Sequence, residues 1–259
     1  MSRISKVFEK KKQRVLNVYF TAGYPSLNDT LPIMRSLALA GANIIEIGMP
    51  YSDPLADGPV IQDSSSKALA NGMNMHLLFQ QIKDCRKDPL LSDTGIILMG
   101  YMNPVLQYGF EKFCADAALA GVDGLILPDL PEYEFETEFG AIISKYGLDF
   151  IFLVTPETSV ERVRKLDGLS RGFLYAVSSS ATTGGDKDFS AVEVYLKKLQ
   201  EMNLKNPVMV GFGIKDRETF DSACKYANGA IIGSAYIKAL GNTNDISTAT
   251  MDFLLPILQ

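Results

Sequence analysis

Eight apolar runs rich in Val and Ile recur along the chain, each bounded by Gly, Pro or Asn and each followed by a stretch of helical periodicity. They are Val15–Phe20, Asn43–Gly48, Gly95–Gly100, Val122–Leu127, Asp149–Val154, Gly172–Val177, Pro207–Gly211 and Gly229–Ile232. Little polar alternation interrupts them, as expected of parallel strands covered on both faces. Eight such βα units in 259 residues predict an α/β fold of the TIM (β/α)8 barrel type. An open doubly wound sheet fits less well, because its first strand usually leads into a glycine-rich phosphate turn, and here that turn reads Thr21-Ala-Gly-Tyr-Pro25. No linker or compositional break appears, so residues 1–259 read as one barrel domain with an N-terminal helix. Ser26-x-x-Asp29, Thr158-x-x-Glu161 and Ser190-x-x-Glu193 read as capping-box helix starts.

Composition excludes several function classes. The formal net charge of −5, with no block of like charges, gives no footprint for nucleic acid. No apolar stretch approaches the ~18 residues that a membrane span needs. The opening MSRISKVFEKKKQR is basic and amphipathic but lacks the apolar region of a secretory signal, which predicts a cytoplasmic protein. Cys85, Cys114 and Cys224 are odd in number and widely spaced, a pattern of reduced buried thiols. The single histidine, His76, cannot furnish a zinc set and reads as structural or solvent-facing. Gly168-Leu-Ser170-Arg-Gly172 matches the GxSxG hydrolase pattern, but it leads from a helix into a strand and reads as a helix-ending turn.

Two intervals between strands are longer than the rest, residues 49–94 and residues 178–206. Loops that follow barrel strands build active sites, so these draw attention first. Strand 2, Asn43-Ile-Ile-Glu46-Ile-Gly48, sets one carboxylate among apolar neighbours. Such a group either finds a partner or has its pKa raised, and the second outcome suits a general acid or base. The loop behind it, Met49-Pro-Tyr-Ser-Asp53-Pro-Leu-Ala-Asp57-Gly-Pro59, is stiffened by three prolines and offers two aspartates, each either a second carboxylate for chemistry or a turn former. The second long loop, Ser178-Ser-Ser-Ala-Thr-Thr-Gly-Gly-Asp186, is small and polar, suited to closing over a ligand. Gly211-Phe-Gly213 and Gly233-Ser234 end strands 7 and 8, where backbone N–H groups and a helix start can hold a phosphate. No lysine stands at a strand end for Schiff-base chemistry, and one histidine is too few for a metal-dependent aldolase. Acid–base chemistry on a phosphorylated substrate remains, open between an isomerase and a lyase. Phe20, Tyr101, Leu127, Leu153, Tyr175 and Phe212 are candidates to line an apolar pocket.

The stretch Ile45–Pro59, supported by Phe20-Thr-Ala-Gly-Tyr-Pro25, Tyr101-Met-Asn-Pro104, Pro128-Asp129-Leu-Pro131, Thr183-Gly184, Gly211-Phe-Gly213 and Gly233-Ser234, resembles the tryptophan synthase α-subunit family. The likeness covers almost the entire chain. It implies retro-aldol cleavage of indole-3-glycerol phosphate to indole and glyceraldehyde 3-phosphate, with no metal or organic cofactor in this subunit. Glu46 matches the family's general acid/base, and Asp57 the residue that stabilises charge at the indole N–H. Phe20, Ile61, Leu127, Tyr175 and Phe212 fall where the family holds the indole ring. Gly184, Gly213, Gly233 and Ser234 match phosphate positions, and Thr183 matches the residue that aligns Asp57 on closure. The resemblance further implies a partner, a pyridoxal-phosphate β subunit that receives indole through a tunnel in an α2β2 assembly. Candidate contacts are the Met49–Asp57 loop and Tyr101–Val105. One departure stands out: the family often has glycine where Ala181 lies, followed here by Thr182-Thr183-Gly184-Gly185, so loop closure is expected to differ.

Overall fold

The computed structural model describes residues 2–177, 189–211, 213–241 and 245–259, without the side chains of residues 189–191. Among these residues nine strands form one parallel sheet: β1 (Val15–Thr21), β2 (Ile44–Gly48), β3 (Gly95–Met99), β4 (Gly124–Ile126), β5 (Asp149–Phe150), β6 (Leu153–Val154), β7 (Leu174–Val177), β8 (Val208–Gly211) and β9 (Gly229–Ile232). Their order is β5-β4-β3-β2-β1-β9-β8-β7-β6. The fifth apolar run, read from sequence as one strand, is thus two short pieces. Its first half pairs with β4 and its second half with β7, so the sheet closes on itself through Asp149–Val154. The break follows from hydrogen bonding, since the Phe152 N–H donates to Ser170 Oγ at 3.1 Å instead of to a neighbouring strand. Ser170 ends a helix, as its place in the rejected GxSxG pattern suggested.

Helices α1 (Arg3–Lys10), α2 (Thr30–Leu39), α3 (Pro59–Ala70), α4 (Met75–Ile82), α5 (Met102–Tyr108), α6 (Phe110–Ala120), α7 (Glu132–Glu134) and α8 (Gly140–Lys145) accompany the first half of the sheet. The second half carries α9 (Val160–Leu169), α10 (Phe189–Glu201), α11 (Arg217–Cys224), α12 (Ser234–Gly241) and α13 (Ile246–Leu258). Two of the expected capping boxes are displaced. Asp29, not Ser26, caps α2, and its carboxylate accepts from Ser26 N in the preceding turn. Ser159, not Thr158, caps α9 by accepting from Arg162 N, while Thr158 Oγ1 accepts from Thr155 N. The third helix begins at Phe189, which puts Ser190 inside its first turn. The one reciprocal box among the described residues joins Asp216 and Thr219 on α11.

Every residue of β1 and β2 is buried, because each strand faces the barrel interior on one side and the helices on the other. The interior cluster contains Val15, Ile44, Ile97, Ile126, Ile151, Phe173, Tyr175, Met209 and Ile231, and it is plugged from the N-terminal end by Ile4 and Phe8 of α1. Phe8 lies against Phe173 with ring centroids 6.2 Å apart. Cys85, Cys114 and Cys224 are buried free thiols, and His76 lies against Tyr108 at a centroid distance of 4.6 Å.

Among the described glycines the tightest backbone approach is at Gly229, where a Cβ would collide with the Val15 carbonyl and lie 2.8 Å from Met209 Sδ. Backbone cannot withdraw from β1 without breaking the ladder. Gly229→Ala is therefore expected to cost about 3 kcal/mol, read as a lower urea midpoint with unchanged slope.

Candidate active site

Period-two alternation on β2 turns Ile44, Glu46 and Gly48 into the barrel and Ile45 and Ile47 towards the helices. Glu46 is fully buried. Its Oε2 accepts from Asn17 Nδ2 on β1 at 2.6 Å, whereas Oε1 and Asn17 Oδ1 have no hydrogen-bond partner among the described residues. Burial pushes the carboxyl up to about 8, with the Asn17 bond opposing the rise and Asp57 adding to it. Both outcomes open to a buried glutamate, a partner and a raised pKa, are present at once.

Asp57 sits half-buried at the end of the loop after β2. Tyr101, capping α5 on the loop after β3, donates its hydroxyl to Asp57 Oδ2 at 2.9 Å and accepts from Ala56 N at 3.0 Å. Burial raises Asp57 to about 6, the Tyr101 bond opposing it. The two carboxyls are therefore set apart, one protonated and one ionised near neutral pH. Asp53 does not join them; it is exposed and accepts from Ser52 Oγ at 2.5 Å, a loop-forming role.

At the mouth β8 ends in Gly211, and Gly233 directly follows β9. Gly213 has φ +50°, and Gly233 caps α12, its carbonyl accepting from Ile237 N at 3.1 Å. Exposed Ser234 opens α12, and first-turn N–H groups of a helix lack internal acceptors, an arrangement that suits an anion. Ile61, on α3, faces Gly233 and Tyr19.

The family profile described as tryptophan synthase alpha chain matches residues 5–255. The chain is 49% identical over 241 residues to the tryptophan synthase alpha chain of Parabacteroides distasonis, covering 93% of each, and 51% identical over 244 residues to that of Flavobacterium johnsoniae, covering 94% of this chain and 95% of the relative. This chain belongs to the tryptophan synthase α-chain family. Among solved structures, the tryptophan synthase α subunit of Legionella pneumophila superposes with a TM-score of 0.90 at 35% identity, covering 99% of this chain and 97% of that one. The A subunit of Pyrococcus furiosus gives 0.86 at 34% identity, covering 95% and 98%.

Within this tryptophan synthase α-family barrel, two expected pocket residues are turned the other way. Phe20 packs in the outer cluster between sheet and helices, and the inward position is taken by Tyr19, paired in register with Glu46. Leu127 also faces outward and shares a cavity of about 270 Å³ with Leu166 and Arg162 of α9, while Ile126 points inside. The reason is common to both: a continuous apolar run does not reveal its faces, and a one-residue slip exchanges them. Asn17 was the usable signal, because a polar residue in an apolar strand belongs beside Glu46 and carries Tyr19 and Thr21 to the same side. Tyr175 and Leu153 pair and stand against the interior cluster. The Tyr19 and Tyr175 hydroxyls occupy the space where side chains at Gly48 and Gly211 would lie. Thr183, Gly184 and Phe212, with Ala181, lie outside the described residues.

Glu46 also leaves a mark on stability. Between its ordinary 4.5 and about 8 the folded chain keeps a proton that the unfolded chain has released, so stability falls as pH rises through that window, by at most about 1.4 kcal/mol per unit from this group. Glu46→Gln retains an acceptor for Asn17 and removes the titration. Chemical denaturation at successive pH values is expected to show the variant gaining on the parent from pH 5 to 8, and parallel curves would contradict the assignment.

Proposed function

We propose that the chain cleaves indole-3-glycerol phosphate to indole and glyceraldehyde 3-phosphate, a carbon–carbon lyase reaction. The observation that carries this reading is the pair of carboxyls at one barrel mouth, Glu46 raised to about 8 and Asp57 only to about 6. Near neutral pH the pair holds one proton, on Glu46. Glu46 gives that proton to the ring carbon bearing the glycerol side chain. The positive charge left on the ring nitrogen is balanced by the Asp57 carboxylate. Glu46, ionised in a site that disfavours its charge, then removes the proton of the adjacent side-chain hydroxyl. A carbonyl forms there, the carbon–carbon bond breaks, and its electron pair restores the aromatic ring. Glu46 finishes protonated, so the cycle consumes no co-reactant and calls for no metal or organic cofactor in this subunit. The ends of β8 and β9 hold the phosphate, and Tyr19, Ile61, Leu153 and Tyr175 flank the ring.

The partner in this reading is a pyridoxal-phosphate β subunit that receives the indole within a cytoplasmic α2β2 assembly, the α chain forming one domain over residues 1–259. The two candidate contact segments support it by forming one face: Tyr51 and Tyr101 rings lie 5.5 Å apart, and Asn103 Nδ2 donates to Tyr51 Oη at 3.1 Å. Leu55, on that face, is 89% exposed.

Indole release from the substrate by the purified chain, alone and with a β subunit, tests the reaction. Glu46→Gln is expected to lower kcat about a thousandfold while leaving the fold intact. In the parent, kcat/KM is expected to rise with pH through about 6 as Asp57 ionises and to fall through about 8 as Glu46 loses its proton. Near-normal turnover by Glu46→Gln would sink the mechanism. Ser234→Asp, which sets a negative charge at the start of α12, is expected to raise KM far more than it lowers kcat, because it opposes phosphate binding in ground and transition states alike.

A further inference from the structure

The inward face of β1 presents Asn17, Tyr19 and Thr21 two residues apart. Asn17 holds Glu46. Thr21 and Ser64 of α3 are both fully buried, and their hydroxyl oxygens lie 2.6 Å apart. Ser64 donates to the Ile61 carbonyl at 2.8 Å, so its single proton is committed and Thr21 must be the donor to Ser64. Tyr19 Oη, 3.5 Å from Thr21 Oγ1, then has only an acceptor to address. The chain of hydroxyls therefore runs one way, from the site into α3.

Helix α3 begins two residues after Asp57, and Gln62 in its first turn donates to the Asp57 carbonyl at 2.8 Å. We propose that the Thr21–Ser64 hydrogen bond is a positioning device, which locks α3 to the strand that already holds Glu46 and so fixes where Asp57 stands relative to it. An apolar pair of the same volume would pack α3 against β1 but would not set its azimuth or height, since apolar contact has no direction. The groups facing the Asp57 carboxyl are Tyr101 at the start of α5, Tyr19 on β1, Glu46 on β2 and Tyr175 on β7. Among the described residues Tyr101 alone donates to it. A loosened α3 lengthens that bond and moves the Asp57 titration upward.

The kinetic part of the test rests on the lyase reading above. Thr21→Val and Ser64→Ala are each expected to lower kcat about tenfold with KM changed less than about twofold, and to move the acid limb of the pH profile upward. Thr21→Ser restores both, and the double variant is no worse than either single one. A lowered Tm with kcat and acid limb unchanged would mean a merely structural bond and overturn the proposal. Should Thr21→Val fail to fold, Ser64→Ala, which places a better helix former in α3, carries the same measurements. Carbon-detected NMR titration of Asp57 in the parent and in Ser64→Ala reads the shift without substrate. An upward shift there supports the positioning role even if the parent releases no indole, an outcome that would defeat the lyase reading alone; an unmoved titration defeats the positioning role.

Discussion

The burial of one carboxyl inside the barrel, with a single amide to receive it, is the constraint around which the site is arranged. Isolated ionised carboxylates are very costly in an apolar interior, and the usual escape is to remain protonated. Glu46 takes that escape, its Oε2 bonded to Asn17 and its Oε1 without a partner among the described residues. A second donor at Oε1 would favour the ionised form and lower the pKa towards that of an ordinary carboxylate. Burial is thus what keeps the group an acid near neutral pH, against the Asn17 bond that favours its charge, at a cost in stability that a well-satisfied polar core would avoid.

Asp57 solves the opposite problem. The proposed reaction needs it ionised while partly withdrawn from water, and the Tyr101 hydroxyl supplies the interaction that opposes burial. The two groups differ less in chemistry than in what surrounds them, since one stands on a strand between isoleucines and the other on a loop. The strand holds its carboxyl rigidly, whereas the loop holds its own through α3 and α5. Any partner or substrate that presses on the loop after β2 therefore acts on Asp57 first and leaves Glu46 nearly untouched.

How much of this could be read from residues alone varies with the feature. Barrel architecture was legible because parallel strands buried on both faces need apolar runs that nothing else in a chain of this size explains. Glu46 was legible for the converse reason, a charge in such a run demands a function or a partner. Strand faces were not legible, and Phe20 and Leu127 were assigned inward on that account. The same continuity of apolar residues that announces a strand erases the alternation that would orient it. Asn17 broke the symmetry on β1, yet its meaning depended on its neighbour across the ladder, a long-range relation that local pattern does not carry. The division of the fifth run had no local signal either, because it depends on Ser170 reaching back to the Phe152 N–H.

The two ends of the barrel are also unequal, and that inequality makes the acid independent of substrate. Ile4 and Phe8 fill the N-terminal end of the barrel, and Gly124 and Gly172 make room, since a Cβ at either would stand 3.0 Å from Ile4. Glu46 is fully buried above that plug. An acid whose pKa depended on a closing substrate would be protonated only after binding, and its proton would have to follow the substrate in. Here desolvation is supplied from below by α1 and from the sides by isoleucines, so the proton is in place beforehand. In the proposed reaction, what binding has left to accomplish is confined to the open end, where Asp57 would be brought against the ring nitrogen and the phosphate seated at the ends of β8 and β9. The protonating half of the proposed reaction is therefore a property of the folded barrel itself, and the half that remains adjustable lies in the loops that a partner subunit can reach.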